Sequence, residues 1–334
     1  MPFSLHEDRA SLVSQSDSEA LLAAIERTIV ERNGSDRRTG IFGPASMSWK
    51  INREAALFLG AGRAALLQLA HPWVATALEQ HSSLMSRPLA RFHHTFRIVF
   101  AMIFGSLDQA LAASRHLYAL HTRIRGDMPE DVAGYRRGSH YEANEIAALR
   151  WVYATLVESA VLAYECVMPP LTAGELAAYY AESRTLAALF GLPAAALPET
   201  WDGFLSYCRQ TEQSNALGVS NTARKMAHNL MAGAGSWIKP PHWYRALTAT
   251  WLPERFRVEF GLNFGGEETQ AAERAKQRLP AFYRRLPDAI RFVGPWQEAR
   301  LRLDGKRFGI VARWSNRFWI GQPRLPFALG RADL

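Results

Sequence analysis

From residue 52 to about 286 the apolar side chains recur at steps of three and four, and hardly ever at two. That spacing gathers each segment's apolar residues on one helical face and leaves almost nothing from which to build a sheet. Only Phe308–Ala312 alternates, and weakly. The periodic runs predict helices at about 52–68, 72–85, 88–104, 107–125, 144–167, 173–190, 202–213, 219–232, 241–260 and 267–286. One more at about 18–31 is capped by Asp17 or Ser16. Pro72, Pro88, Pro198 and Pro241 fall near helix starts, where a missing N–H does no harm, and Gly105, Gly126 and Gly191 follow helix ends. The expectation is an all-α protein. It has an N-terminal arm over 1–40, one domain of about ten helices over 41–290, and an irregular basic, aromatic tail over 291–334.

With 334 residues, 48% of them hydrophobic, the chain can bury a sizeable core. Its net charge of +8 is unevenly placed: residues 300–334 hold eight Arg or Lys and two Asp, which is +6 of the total. The rest is near neutral, which argues against a nucleic-acid partner. Trp314, Phe318 and Trp319 lie among those tail charges. They leave two readings, peripheral contact with an anionic membrane or partner, or a tail wrapped on its own domain. Cys166 and Cys208 form neither a Cys-x-x-Cys nor a Cys-x-x-Cys-His, so a zinc knuckle and a covalently attached haem are both excluded. Two reduced core thiols are the expectation, a single disulfide the other option. No signal-peptide pattern opens the sequence, and the greasy stretches 55–78 and 151–164 are interrupted by Arg63, His71 and Glu158. A cytoplasmic protein is expected.

Several familiar chemistries lack their motifs. Gly60-Ala-Gly62-Arg-Ala-Ala65 matches a loose dinucleotide fingerprint, but the segment before it carries Arg53 and Glu54 in helical rather than strand spacing. Small residues packed between helices account for it better. There is no Gly-x-Ser-x-Gly, Walker loop or His-Glu-x-x-His, and no Glu-x-x-His of the kind that carries metal in a di-iron bundle.

What stands out instead is Arg91-Phe-His-His94-Thr95, followed by His121-Thr-Arg-Ile-Arg125-Gly126. On a helix, Arg91, His94, Thr95 and Ile98 share one face; on the next, Leu117, Tyr118, His121, Ile124 and Arg125 do so. Polar groups on faces that ought to be buried are costly unless something polar satisfies them. His121, with Arg125 one turn on, suits either an axial haem ligand with a counter-charge for a propionate or a core histidine satisfied by a carbonyl. His71 is either a second pocket histidine or a plain helix junction before Pro72. Glu79 is a candidate general base if it faces the pocket, and without a role if it faces solvent.

These pieces, in order and spacing, resemble the rubber oxygenase (latex-clearing protein) and MpaB-type oxygenases, an all-α group that binds haem b non-covalently. The resemblance runs from Phe42-Gly-Pro44 to Tyr207. It includes Ala64-Ala-Leu-Leu-Gln-Leu-Ala-His71-Pro72, Arg91-x-x-x-Thr95, His121-x-x-Ile-Arg125-Gly126, Tyr141-x-Ala-Asn144 and Trp151-Val-Tyr-Ala-Thr155. It implies His121 as proximal iron ligand, Arg91 and Thr95 as the polar pair near the haem, and Glu79 as counterpart of a distal glutamate. His94 falls where rubber-cleaving members carry a lysine, so it departs from the pattern as a sixth ligand or a proton donor. Tyr153 stands where a histidine is common in related sequences. The implied activity is insertion of O2 into a C=C bond of a hydrophobic, isoprenoid-like substrate. The competing class is a non-catalytic haem- or lipid-binding helical protein that associates with membrane surfaces.

Overall fold

A computed structural model describes residues 11–33, 36–82, 88–235 and 239–327. The expected helical residues 83–85, the start of the arm and positions 328–334 of the tail lie outside the described residues. The helices are α1 (Gln15–Asn33), α2 (Met47–Asn52), α3 (Ala61–Leu69), α4 (Pro72–His81), α5 (Pro88–Phe104) and α6 (Leu107–His121). Two short strands follow, β1 (Arg125–Asp127) and β2 (His140–Glu142), then α7 (Ile146–Glu165), α8 (Ala173–Leu189), α9 (Trp201–Gln213) and α10 (Asn221–Ala232). The chain continues as α11 (His242–Thr250), α12 (Glu254–Phe260), α13 (Gly266–Tyr283), α14 (Asp288–Arg291), α15 (Gly294–Leu303) and α16 (Ile310–Ile320). The fold is all-α, as the periodicity requires.

α7 organises one core. Fourteen of its 20 residues are buried, because a helix apolar nearly all round has no face to give to water. By length and composition it is the one described helix able to cross a bilayer, yet 67% of that window is buried inside the protein. α3 approaches α7 at Gly60, where a Cβ would stand 2.5 Å from the Ser159 carbonyl oxygen; at Gly62 a Cβ would stand 2.6 Å from Thr248 Oγ1. A 3-10 turn (Ala55–Leu59), not a strand, precedes them. The glycines are there for close helix packing, and the dinucleotide motif lacks its strand.

A second core lies between α5 and α6. It takes in Leu22, Ile25 and Ile29 of α1 as well as Val293, Ala299, Ile320 and Leu325 near the C-terminal end. The segment expected to be an irregular tail is therefore helical over α15 and α16 and joined to the main body. Both cysteines are free thiols.

Where element boundaries depart from the periodicity, tertiary contacts account for it. The 52–68 run breaks at buried Glu54, which takes two hydrogen bonds from Arg291 (2.8 and 2.9 Å) and one from the Tyr283 hydroxyl (3.0 Å). The 241–260 run breaks at Pro253, which has no N–H to continue a helix. The 107–125 run stops at His121, because Arg125, Gly126 and Asp127 pair with Glu142, Tyr141 and His140. Gly126 is not a helix cap: a Cβ there would stand 2.7 Å from Gln80 Oε1 and 2.9 Å from the Tyr141 hydroxyl.

Candidate functional site

A two-residue connection, Gly105–Ser106, folds α6 back along α5. It is held by a reciprocal cap in which Ser106 Oγ accepts from Gln109 N–H (3.3 Å) and Gln109 Oε1 accepts from Ser106 N–H (2.9 Å). Counting outward from this turn sets His94 opposite His116, with ring centroids 6.3 Å apart, and Arg91 near His121 at the open end of the hairpin.

His121 is the last residue of α6. The residue is half-buried, and its Nδ1 is enclosed with no hydrogen-bond partner. Burial, reinforced by the nearby Arg91 guanidinium, pushes its pKa down to about 4, so the imidazole is neutral throughout the physiological range. Arg91 is itself desolvated, which lowers its pKa, and among the described residues no carboxylate pairs with it. His94 is held below its ordinary value by burial and then by Arg91, Arg97 and His116, so a proton on it is disfavoured. Thr95 donates its hydroxyl to the Arg91 carbonyl oxygen (3.1 Å), leaving only its oxygen lone pairs for anything beyond the helix. Another side of α5 is aromatic: Phe92, Phe96 and Phe100, turned away from the face of Arg91, His94 and Thr95, gather around Phe58 at 5.1, 4.7 and 6.3 Å, centroid to centroid.

Three expected members lie elsewhere. Arg125 is exposed on β1, because the helix that was to carry it one turn past His121 ends at His121; the stacking argument for a propionate counter-charge therefore fails. Glu79 sits exposed toward the end of α4, its Oε1 accepting from Thr222 Oγ1 (3.2 Å). Its carboxylate faces solvent and α10 rather than the hairpin. His71 is buried at the start of α4, with Nδ1 unpartnered, Nε2 3.4 Å from the Tyr135 hydroxyl, and a pKa lowered to about 4 by burial. Among the described residues no hydrogen bond or ring contact links it to Arg91, His94 or His121. Tyr153, at the position of a common histidine, shares a 2.9 Å hydrogen bond with Ser183, and burial raises its pKa.

Other polar groups were not anticipated. His116 and Arg97 complete the basic lining of the hairpin, and counting back from the Gly105–Ser106 turn was the signal available for His116. Deeper in the protein, buried Arg63 donates to the Trp251 carbonyl (2.9 Å), Ser159 Oγ (3.0 Å) and Glu158 Oε2 (2.7 Å), with Glu212 Oε1 at 3.5 Å. One guanidinium faces two carboxylates. Burial first, then Glu158, push Glu212 up to about 7.

The architecture and these side chains define a helical protein whose hairpin presents neutral imidazoles beside unpaired guanidinium charge. The profile of the catalytic domain of the ER-bound oxygenase mpaB/B'/rubber oxygenase family matches residues 49–292, and the chain belongs to that family. No curated protein and no solved structure matches it.

Proposed function

We propose that this chain is a haem b-dependent oxygenase that inserts O2 into a C=C bond of a hydrophobic, isoprenoid-like substrate, and that His121 is the residue that would hold the haem iron. Oxygenase chemistry comes with the family. The observation that supports haem is His121: a desolvated, neutral imidazole with an enclosed, unpartnered nitrogen, beside an arginine that no described carboxylate neutralises. A neutral imidazole suits iron, and Arg91 suits an anionic carboxylate such as a propionate. Among the described residues no three His, Cys, Asp or Glu side chains gather as a metal site.

Haem, when bound, supplies a redox-active iron with a coordination position for O2. The protein's own contributions follow from the hairpin. His121 offers a nitrogen lone pair that protons do not compete for above about pH 4. Arg91 would pair with a carboxylate of the bound group, and the Thr95 oxygen accepts rather than donates. Ile98, buried on the same face as Arg91, His94 and Thr95, gives that face an apolar end that suits an apolar chain. His94, whose protonated form is disfavoured, serves as a second nitrogen ligand or proton acceptor rather than as an acid.

Haem titration of the purified protein tests this. A Soret band should appear, and His121→Ala should weaken haem binding at least about tenfold, while His242→Ala, an exposed control, should not. His94→Ala should shift the ferric spectrum toward high spin if His94 occupies a coordination position. A protein that takes up no haem, or binds it equally well without His121, would overturn the assignment. Bound haem without O2 consumption on terpenoid alkenes would move the chain to the carrier class.

A further inference from the structure

α16 is built the wrong way round for a helix that ends in the core. Its apolar residues Ile310, Val311, Trp314 and Phe318 are 73%, 70%, 66% and 54% exposed. At 100° per residue they cover one continuous stripe of about a quarter turn. The opposite face is the buried one, with Ala312, Asn316 and Ile320 at 6%, 0% and 0% exposure. The mounting on that side is specific. Glu298, its carboxyl raised by burial, accepts from Asn316 Nδ2 (2.5 Å) and from the Leu325 N–H (2.8 Å), and a Cβ on Gly294 would stand 2.5 Å from the Asn316 backbone nitrogen. Rolling the stripe inward would break the Glu298 bonds and turn the buried Ile320 out to solvent. The apolar stripe is thus held outward.

Its flank is cationic. Arg313 and Arg317 border the stripe, with Arg317 5.8 Å from the Trp314 ring, and among the described residues neither pairs with a carboxylate. Residues 300–327 carry seven Arg or Lys and a single acid, Asp304. Bulky aromatic and aliphatic side chains beside unpaired arginines complement an anionic lipid surface: the rings enter the headgroup boundary while the guanidiniums meet phosphates.

The inner side of the helix rests on α5. His93 Nε2 lies 3.0 Å from the Phe318 carbonyl oxygen, Arg97 donates to the Ile320 carbonyl oxygen (2.8 Å), and Trp319 stacks on Phe58 at 4.6 Å and 12°. These contacts flank His94 along α5 and reach the aromatic side of that helix.

We propose that the Ile310–Val311–Trp314–Phe318 face is an interfacial docking surface for an anionic lipid membrane. Seated there, the protein holds α5, which carries Arg91 and His94, beside the phase in which an apolar substrate is dissolved. The membrane contact itself is independent of whether the site binds haem.

Flotation of the full chain with phosphatidylcholine vesicles, with and without phosphatidylglycerol, tests the docking. Binding should require the anionic lipid and weaken with salt. Trp314→Glu/Phe318→Glu should reduce partitioning more than about tenfold, and Arg313→Gln/Arg317→Gln should reduce it about tenfold and weaken its salt dependence. Because these side chains are exposed, thermal melting should be unchanged, and the arginine pair serves if the first variant does not fold. Vesicle binding by wild type that the variants retain in full, or no binding by wild type, would overturn the proposal. So would a wild-type dimer that Trp314→Glu/Phe318→Glu makes monomeric, since a second copy would then cover the stripe.

Discussion

Two kinds of buried titratable group give this protein opposite pH dependences. The depressed kind is histidine. His71 and His121 are lowered to about 4 in the fold against an ordinary 6.5, so the folded state resists taking up protons that the unfolded chain accepts. Their stabilisation is complete above pH 6.5 and is lost as pH falls toward 4, by at most about 3 kcal/mol for each ring. Urea melts from pH 7.5 to 4.5 should show that loss in the haem-free protein. His71→Gln, which keeps an amide near the Tyr135 hydroxyl but does not titrate, should flatten the curve; an unchanged slope would mean that His71 is not the group responsible. The raised kind is Glu212, at about 7 against an ordinary 4.5. A carboxyl raised by folding stabilises fully below pH 4.5, and that stability drains away as pH climbs through 7. Glu212→Gln should therefore match wild type near pH 5 and exceed it by about 1–3 kcal/mol at pH 8. Equal stability at pH 8 would show that Arg63 compensates both carboxylates. Neither effect was legible in the sequence, where Glu158 and Glu212 are distant and only the fold brings both onto Arg63. The pairing of Arg91 with His121 was closer to legible, because residues that share helix faces on either side of a tight turn meet by counting.

At the scale of elements, local signals located helices well and failed where a partner in space decides. The α5 boundaries, Pro88 and Phe104, follow from an N-terminal proline and a Gly105 stop. The end of α6 does not, because the apolar pattern runs on through Ile124 and only the β1–β2 pairing stops the helix at His121. That error moved Arg125 from the site to the surface. Residues 308–312 offered a weak alternation, yet α16 begins at Ile310, its orientation fixed by Glu298 and α5. The α3–α7 contact makes the small-residue reading of Gly60 testable. A methyl at Gly60 would stand 2.5 Å from the Ser159 carbonyl oxygen, against backbone that cannot step aside. Gly60→Ala should cost about 1–3 kcal/mol by overpacking, read as a lower urea midpoint with unchanged slope. If the midpoint held, the two helices would have room to separate and the close approach would not be required.

At the scale of the whole molecule, the family match and the physical core do not end together. The matched region stops at 292, but the core around α5 and α6 continues through Val293, Ala299, Ile320 and Leu325, each buried. Arg302 also donates to the Phe104 carbonyl oxygen at the end of α5, and Gln109 of α6 to the Leu325 and Pro326 carbonyls. α15 and α16 thus cover the outer side of the hairpin that carries Arg91, His94 and His121. Removing them would expose α5 aromatics now shielded by Trp319, and lose the burial of Ile320 and Leu325, each contributing roughly 2 kcal/mol. A chain ending at residue 293 should then lose about 5 kcal/mol or more, enough to abolish cooperative melting or cause aggregation in a domain of ordinary stability. Circular dichroism melts and limited proteolysis of the two lengths check this. Should the shortened chain melt as the full one does, α15 and α16 would be an appendage rather than part of the fold. The hairpin's geometry would then have to be maintained by its packing against α1, α2 and α8.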